Sequence, residues 1–179
     1  MKNHLPTEHH QTALSVQRLA LGALFLALVY GGTCLNIPLA IGNVNLGDGF
    51  LLIGALLLGS WPAALAAGIG ASLADLTFGY FLYAPATLLI KAAMVFVFLL
   101  VRHLPGLRSH ALFADILAAL AAELTMTAGY YLYETFVFYG MNFRAALVGI
   151  PFNLLQGAFA LAVFLLGAGV SKKVWKNSF

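Results

Sequence analysis

Four polar residues recur along one apolar stretch of this chain: Glu123, Thr127, Tyr130 and Glu134, spaced 4, 3 and 4 apart. At about 100° per helical residue they fall within an arc of roughly 60°, so a helix would carry them as a single polar stripe. Tyr131 lies beside it. Carboxyl, hydroxyl and phenol groups in that order suit the binding of a small polar solute, or hydrogen bonding to a neighbouring helix. Asn153 and Gln156 add two amides on a later stretch, with Gly157 and Ala160 leaving room beside them. Gly68, Ser72, Asp75 and Gly79 share one face of an earlier one. Asp75 and Lys91 have opposite charge on successive apolar stretches, and either pair with each other or contact a ligand. Asp48 either binds solute or caps the helix that begins there.

The inventory of catalytic groups is poor. No nucleophilic Ser–His, Ser–Lys or Cys arrangement falls within the apolar stretches, and no H-E-x-x-H is present. A Gly-rich loop ending in Lys and Ser or Thr is also missing, so ATP hydrolysis and any bound cofactor are not expected in this chain. Cys34 is the single cysteine, which excludes an internal disulfide and a multi-cysteine metal site. Four of the five histidines flank the apolar stretches, His9 and His10 among them, and His103 closes the fourth. They offer no metal site.

The elements that must position these residues are membrane helices. Of the 179 residues, 62% are hydrophobic and 8% charged, and the mean hydropathy is +0.94. A soluble domain carries about 25% charged residues to cover itself. Crossing a hydrocarbon core of about 30 Å takes about 20 helical residues. Six apolar runs qualify or nearly so: 13–35, 49–60, 62–78, 86–101, 112–139 and 145–170. The second is short. The turn before the third is expected at Ser60-Trp61-Pro62, with Pro62 in a first helical turn, where its missing N–H costs nothing. The first run is too long for a signal-peptide core, and Gly32-Thr33 before Cys34 suits a lipoprotein cleavage site poorly. The expected organisation is a tail at 1–12, an all-α, six-helix membrane domain at 13–170, and a basic tail at 171–179.

Sidedness follows from the basic residues. Lys2, Arg18, Arg102, Arg108, Lys172, Lys173 and Lys176 fall on the side of both termini, and Arg144 alone on the other. That bias places both termini in the cytoplasm of a multi-pass protein. It also reads the net charge of +3 as a topology signal rather than as an affinity for nucleic acid. Asp48, Asp75, Lys91, Glu134 and Asn153 then share the outer half, as a cup open to the outside. The outer segment 36–45, with Pro38, Gly42 and asparagines at 36, 43 and 45, is expected to be a loop that is mobile without ligand and ordered with it.

Several blocks resemble the substrate-binding S components of energy-coupling factor (ECF) vitamin transporters. They are Asn45-Leu46-Gly47-Asp48 followed by Leu56-Leu57-Leu58-Gly59-Ser60-Trp61-Pro62, then Gly70-Ala71-Ser72-Leu73-Ala74-Asp75 with Tyr83-Ala84-Pro85-Ala86-Thr87 and Ile90-Lys91, and finally Ile150-Pro151-Phe152-Asn153-Leu154-Leu155-Gln156-Gly157. The likeness runs over residues 19–169. It implies a protein of a prokaryotic cell membrane that is not itself an enzyme. Such a protein captures a vitamin in its outer cup and docks on a transmembrane coupling protein with two ABC-type ATPase subunits, which use ATP to drive import. Ala20, Ala23 and Ala27, which include the A-x-x-x-A of Ala23 and Ala27, resemble the family's docking strip on the first helix, though small residues at this spacing also serve packing inside a bundle. Within the family the sequence is most similar to members assigned to pyridoxine-type or hydroxymethylpyrimidine compounds, and lacks the pattern associated with riboflavin or biotin. The reading from a different class is a stand-alone carrier that couples a solute to protons through Glu123 and Glu134. A third is a membrane subunit with no ligand.

Overall fold

The structure, a computed structural model, describes residues 6–39, 42–107 and 109–178, with side-chain surroundings for 16–37, 44–107 and 109–169. The side chains of Lys2, Arg108, Lys172, Lys173, Lys176, His9 and His10, counted above, lie outside the described residues.

Helix α1 covers Pro6–Cys34 and leads into a two-stranded antiparallel hairpin, β1 Asn36–Leu39 and β2 Gly42–Asn45. Asn36 faces Asn45, and Pro38 faces Asn43. Residues 36–39 and 42–45 of the outer segment are thus paired backbone. Helices α2 (Gly47–Leu58), α3 (Ser60–Thr77), α4 (Ala84–Arg102) and α5 (Ala111–Val137) follow, then a single helical turn, α6 (Phe143–Ala146), and α7 (Ile150–Ser178).

The break between α2 and α3 sits at Gly59, where φ is +80°, a backbone that favours glycine. Ser60-Trp61-Pro62, expected to be the turn, instead forms the first turn of α3. Pro62 does occupy the early position where a proline is tolerated. Pro85 holds the equivalent place in α4.

Among the described residues four segments are long and apolar enough to cross a bilayer: Val16–Cys34, Ala84–Arg102, Ala111–Val137 and Phe143–Gly169. Helix α2, with 12 residues, is about 18 Å long and falls short of a core of about 30 Å.

The bundle is apolar on its outside. Leu19, Leu89, Leu100 and Leu166 are each more than 60% exposed, as suits a surface solvated by lipid. The interior is built from small side chains, with Ala63, Ala64, Ala66, Ala67, Ala71, Ala118, Ala119 and Ala122 buried around Met94, Phe98, Met126 and Phe164. Alanine and glycine let helix axes approach where lipid tails leave no hydrophobic drive between helices. A Cβ on Gly70 would stand 2.7 Å from the Leu26 carbonyl oxygen of α1, so this contact requires glycine. The expected polar face of α3 meets α4: a Cβ on Gly68 would lie 2.7 Å from the Leu88 carbonyl oxygen, and Ser72 Oγ donates to the Ala84 carbonyl at 2.9 Å. The helices alternate in direction. One end of the bundle therefore carries the hairpin and the segments around 78–83 and 138–149, and the other carries Gly59 and the 103–110 connection.

Candidate functional site

At the hairpin end lies a cavity of about 460 Å³. This is the size of small-molecule sites, which run from about 300 to 1,000 Å³. Its wall draws on most of the chain. The end of α1 and the hairpin supply Thr33, Asn36 and Asn45; α3 and its connection supply Ala71, Asp75, Phe78, Tyr80 and Tyr83. Helix α4 adds Thr87 and Lys91, α5 adds Tyr130 and Glu134, and α7 adds Asn153 and Gln156.

The polar groups are organised into short chains. Lys91 Nζ donates to Asp48 Oδ1 at 2.6 Å, and the Gln156 amide donates to the other oxygen of Asp48. Gln156 Oε1 accepts in turn from Asn45 Nδ2 at 3.2 Å, and Asn45 Oδ1 accepts from the Gly47 N–H at 3.0 Å. One network therefore ties the hairpin to α2, α4 and α7 at the cavity floor. Asp48 and Lys91 are almost fully buried, and a charge inside a membrane bundle persists where it is paired. Higher on the wall Thr87 and Tyr130 share a hydrogen bond of 2.9 Å, and Tyr83 donates to Glu134 Oε1 at 3.3 Å. Tyr83 stacks on Phe138 with centroids 5.0 Å apart, while Tyr133 donates to the Leu82 carbonyl. Burial and then the Glu134 carboxylate push the Tyr83 hydroxyl pKa up, which keeps it a donor.

Among the residues singled out from sequence, Asp75, Lys91, Tyr130, Glu134, Asn153 and Gln156 line the cavity, with Asp48 directly behind Lys91 and Gln156. The partner of Lys91 is Asp48, not Asp75. Asp48 is not a cap either: the capping position of α2 belongs to Leu46, with no side-chain cap bond. The lower half of the α5 stripe misses the cavity, because α7 closes over it at Gly157, where an added Cβ would lie 3.3 Å from Glu123 Oε2. Glu123 is buried there and neither carboxyl oxygen has a partner among the described residues. Thr127 Oγ1 donates to its own helix at the Glu123 carbonyl, 3.0 Å away. Tyr131 points elsewhere, its hydroxyl bonding to the Phe143 carbonyl at 3.3 Å.

Thr33, Asn36, Asn45 and Thr87 were not singled out as binding residues; each sits at an element end or in the hairpin, where a lone polar residue carries no periodic signal. Asp115 was also missed. It is buried at the opposite end and accepts from Arg102 Nε at 2.7 Å, so that half of the bundle is not free of charge. Among the described residues no group of three or more His, Cys, Asp or Glu could hold a metal ion.

Outward leucines and membrane-length helices define an integral membrane protein with a polar cavity of small-molecule size at one end of its bundle. The family follows from comparison with known proteins. The model of the family described as ECF-type riboflavin transporter, S component, matches residues 13–172, and the chain belongs to that family. A solved structure of the S component of a bacterial ECF transporter superposes with a TM-score of 0.72, covering 89% of this chain and 98% of that one at 18% identity. At that identity the likeness speaks for the fold. No curated protein sequence matches the chain. The resemblance of the sequence blocks to S components is thus a family membership.

Proposed function

We propose that this chain is the solute-capturing subunit of an ECF-type ABC importer, taking a small water-soluble vitamin or vitamin precursor from outside a prokaryotic cell. In this reading the bundle of six helices lies in the cell membrane with both termini in the cytoplasm, and the cavity opens outward. The chain docks through the Ala20, Ala23 and Ala27 face of α1 on a transmembrane coupling protein, and two partner ATPases supply the ATP-driven step. The observation that carries the reading is the cavity. It is bordered by a hairpin, lined by hydroxyls, amides and carboxyls, and confined to one end. A site of this kind holds a solute but offers no polar file through the bundle, so import needs a partner.

The ring-binding character of the wall, with Phe78, Tyr80, Tyr83 and Tyr130 around the polar groups, suits a flat heteroaromatic with hydroxyl or amino substituents. Pyridoxine-type and hydroxymethylpyrimidine compounds are of this kind. Riboflavin is the second reading, favoured by the description of the family whose model matches. Mass spectrometry of small molecules released from the purified protein separates them. Copurification of a helical coupling protein with two ATPases is the expected companion result. Uptake into vesicles that contain this chain alone would instead support the proton-coupled carrier.

A further inference from the structure

Lys91 is the one lysine or arginine among the described residues that line the cavity, and its charge is already taken. The ammonium lies 2.6 Å from Asp48 Oδ1, and Gln156 holds the second oxygen of Asp48. Asp48 is 1% exposed and Lys91 3%. The remaining directions of the ammonium meet Met126 Sδ at 3.2 Å and the Tyr130 ring, 5.5 Å from its centroid. A solute entering the cavity thus meets a lysine that is neutralised and held from below.

The rest of the wall has the opposite bias. Asp75 and Glu134 contribute carboxyl groups. Ionised, they repel an anion; protonated, they still offer it no cation. Two acceptors in this wall also lack a protein donor: Asp75 Oδ2 and Asn36 Oδ1 are buried without a hydrogen bond among the described residues. Buried acceptors are normally satisfied, and in a binding cavity the solute is the natural source of the donors.

We propose that Asp48 is a positioning residue that masks Lys91, so that the cavity selects ring solutes bearing hydrogen-bond donors for Asp75 and Asn36 and rejects the same solutes once they carry a phosphate or carboxylate. This rests on the reading above that the cavity holds the transported solute. A free lysine in the floor would do the reverse, since an ammonium is a natural phosphate ligand.

Calorimetry on the full chain in detergent tests this with three pairs of probes: pyridoxine and its 5′-phosphate, aminohydroxymethylpyrimidine and its phosphate, and riboflavin and its 5′-phosphate. The pair that binds is expected to favour the unphosphorylated member at least tenfold. Asp48→Asn, shown to be folded by a monodisperse gel-filtration peak, should narrow that ratio at least fivefold, because Lys91 is released to the phosphate. Should Asp48→Asn not fold, the double variant Asp48→Asn/Lys91→Gln replaces the ion pair by two neutral groups. It should keep the parent's preference for the unphosphorylated probe within threefold, because it creates no free cation. A preference that narrows fivefold or more there would mean that the discrimination does not come from masking Lys91 and would overturn the proposal. So would a phosphate ester that binds the parent within threefold of its alcohol, or a folded Asp48→Asn with unchanged preference. If no probe binds while the chain still assembles with a coupling protein and ATPases, the selectivity proposal falls and the importer reading stands. Selective binding by a chain that never assembles with such partners has the opposite meaning.

Discussion

Glu134 stands where a carboxyl can do most for a solute, on the cavity wall with Tyr83 donating to one oxygen at 3.3 Å and capacity to accept more. Glu134→Gln keeps the shape and removes the charge. Against a solute with a protonated ring nitrogen or an amine, the change should weaken binding tenfold or more, and about 1.4 kcal/mol corresponds to tenfold. Riboflavin has no such cation at neutral pH and should lose less. Asn153→Ala removes an amide from the same wall, and an unmet buried partner costs about 1–3 kcal/mol. Calorimetry of both folded variants with the copurifying molecule checks this; two parent-like affinities would move the site away from the junction of α5 and α7. How far such residues can be read from sequence has a physical limit. An intramembrane charge announces that it needs a partner, and the arc shared by Glu123, Thr127, Tyr130 and Glu134 marks the inward side of α5. Neither says which partner or what depth. Lys91 had several carboxyls to choose from, and packing gave it Asp48. The α5 stripe spans about 16 Å at 1.5 Å per residue, and its lower half falls under α7 at Gly157.

Helix α1 has two faces with different uses. Phe25 and Val29 are buried in the core, and the Leu26 carbonyl meets α3 at Gly70. Ala20, Ala23 and Ala27 are exposed, so the small-residue strip is not spent on packing within the bundle. A smooth alanine face lets a second helix approach closely. Ala23→Trp and Ala27→Trp should therefore weaken assembly with the coupling protein while leaving solute affinity unchanged, since neither position lines the cavity. Pull-downs in detergent paired with calorimetry read both effects, and normal assembly by either variant would end the docking assignment. The elements themselves were legible to different degrees. Long apolar runs gave α1, α4, α5 and α7, because the bilayer leaves a chain few other options. The hairpin at Asn36–Leu39 and Gly42–Asn45 was not visible, since strands of four residues rich in Asn, Pro and Gly show no usable alternation. The break at Gly59 competed with an equally good turn signal one residue later, and only the positive φ decides between them.

Alternating helices give the whole molecule two unlike ends, and its orientation decides what the cavity can capture. The hairpin, the cavity and Arg144 are at one end; Arg102 and the 103–110 connection are at the other, on the side to which the basic tails also belong by chain direction. Positive residues are retained on the cytoplasmic side of short loops, so the cavity end should face outward. Cysteine labelling reads this directly. In a Cys34→Ser background, Val148→Cys places a thiol at the cavity end at a position that is 44% exposed, and Ser109→Cys places one at the other end, also exposed. A membrane-impermeant maleimide added to intact cells should label Val148→Cys and spare Ser109→Cys until the membrane is permeabilised. The opposite pattern would turn the cavity toward the cytoplasm. A chain in that orientation could not take up a solute from outside in the state described here, and the bias of its basic residues would need another cause. The expected pattern makes the cavity an external receptor. Its floor is closed by the Asp48–Lys91–Gln156 network and by α7 over Glu123, so release inward requires a movement of the bundle, and in the importer reading proposed above the energy for it comes from the partners that bind ATP.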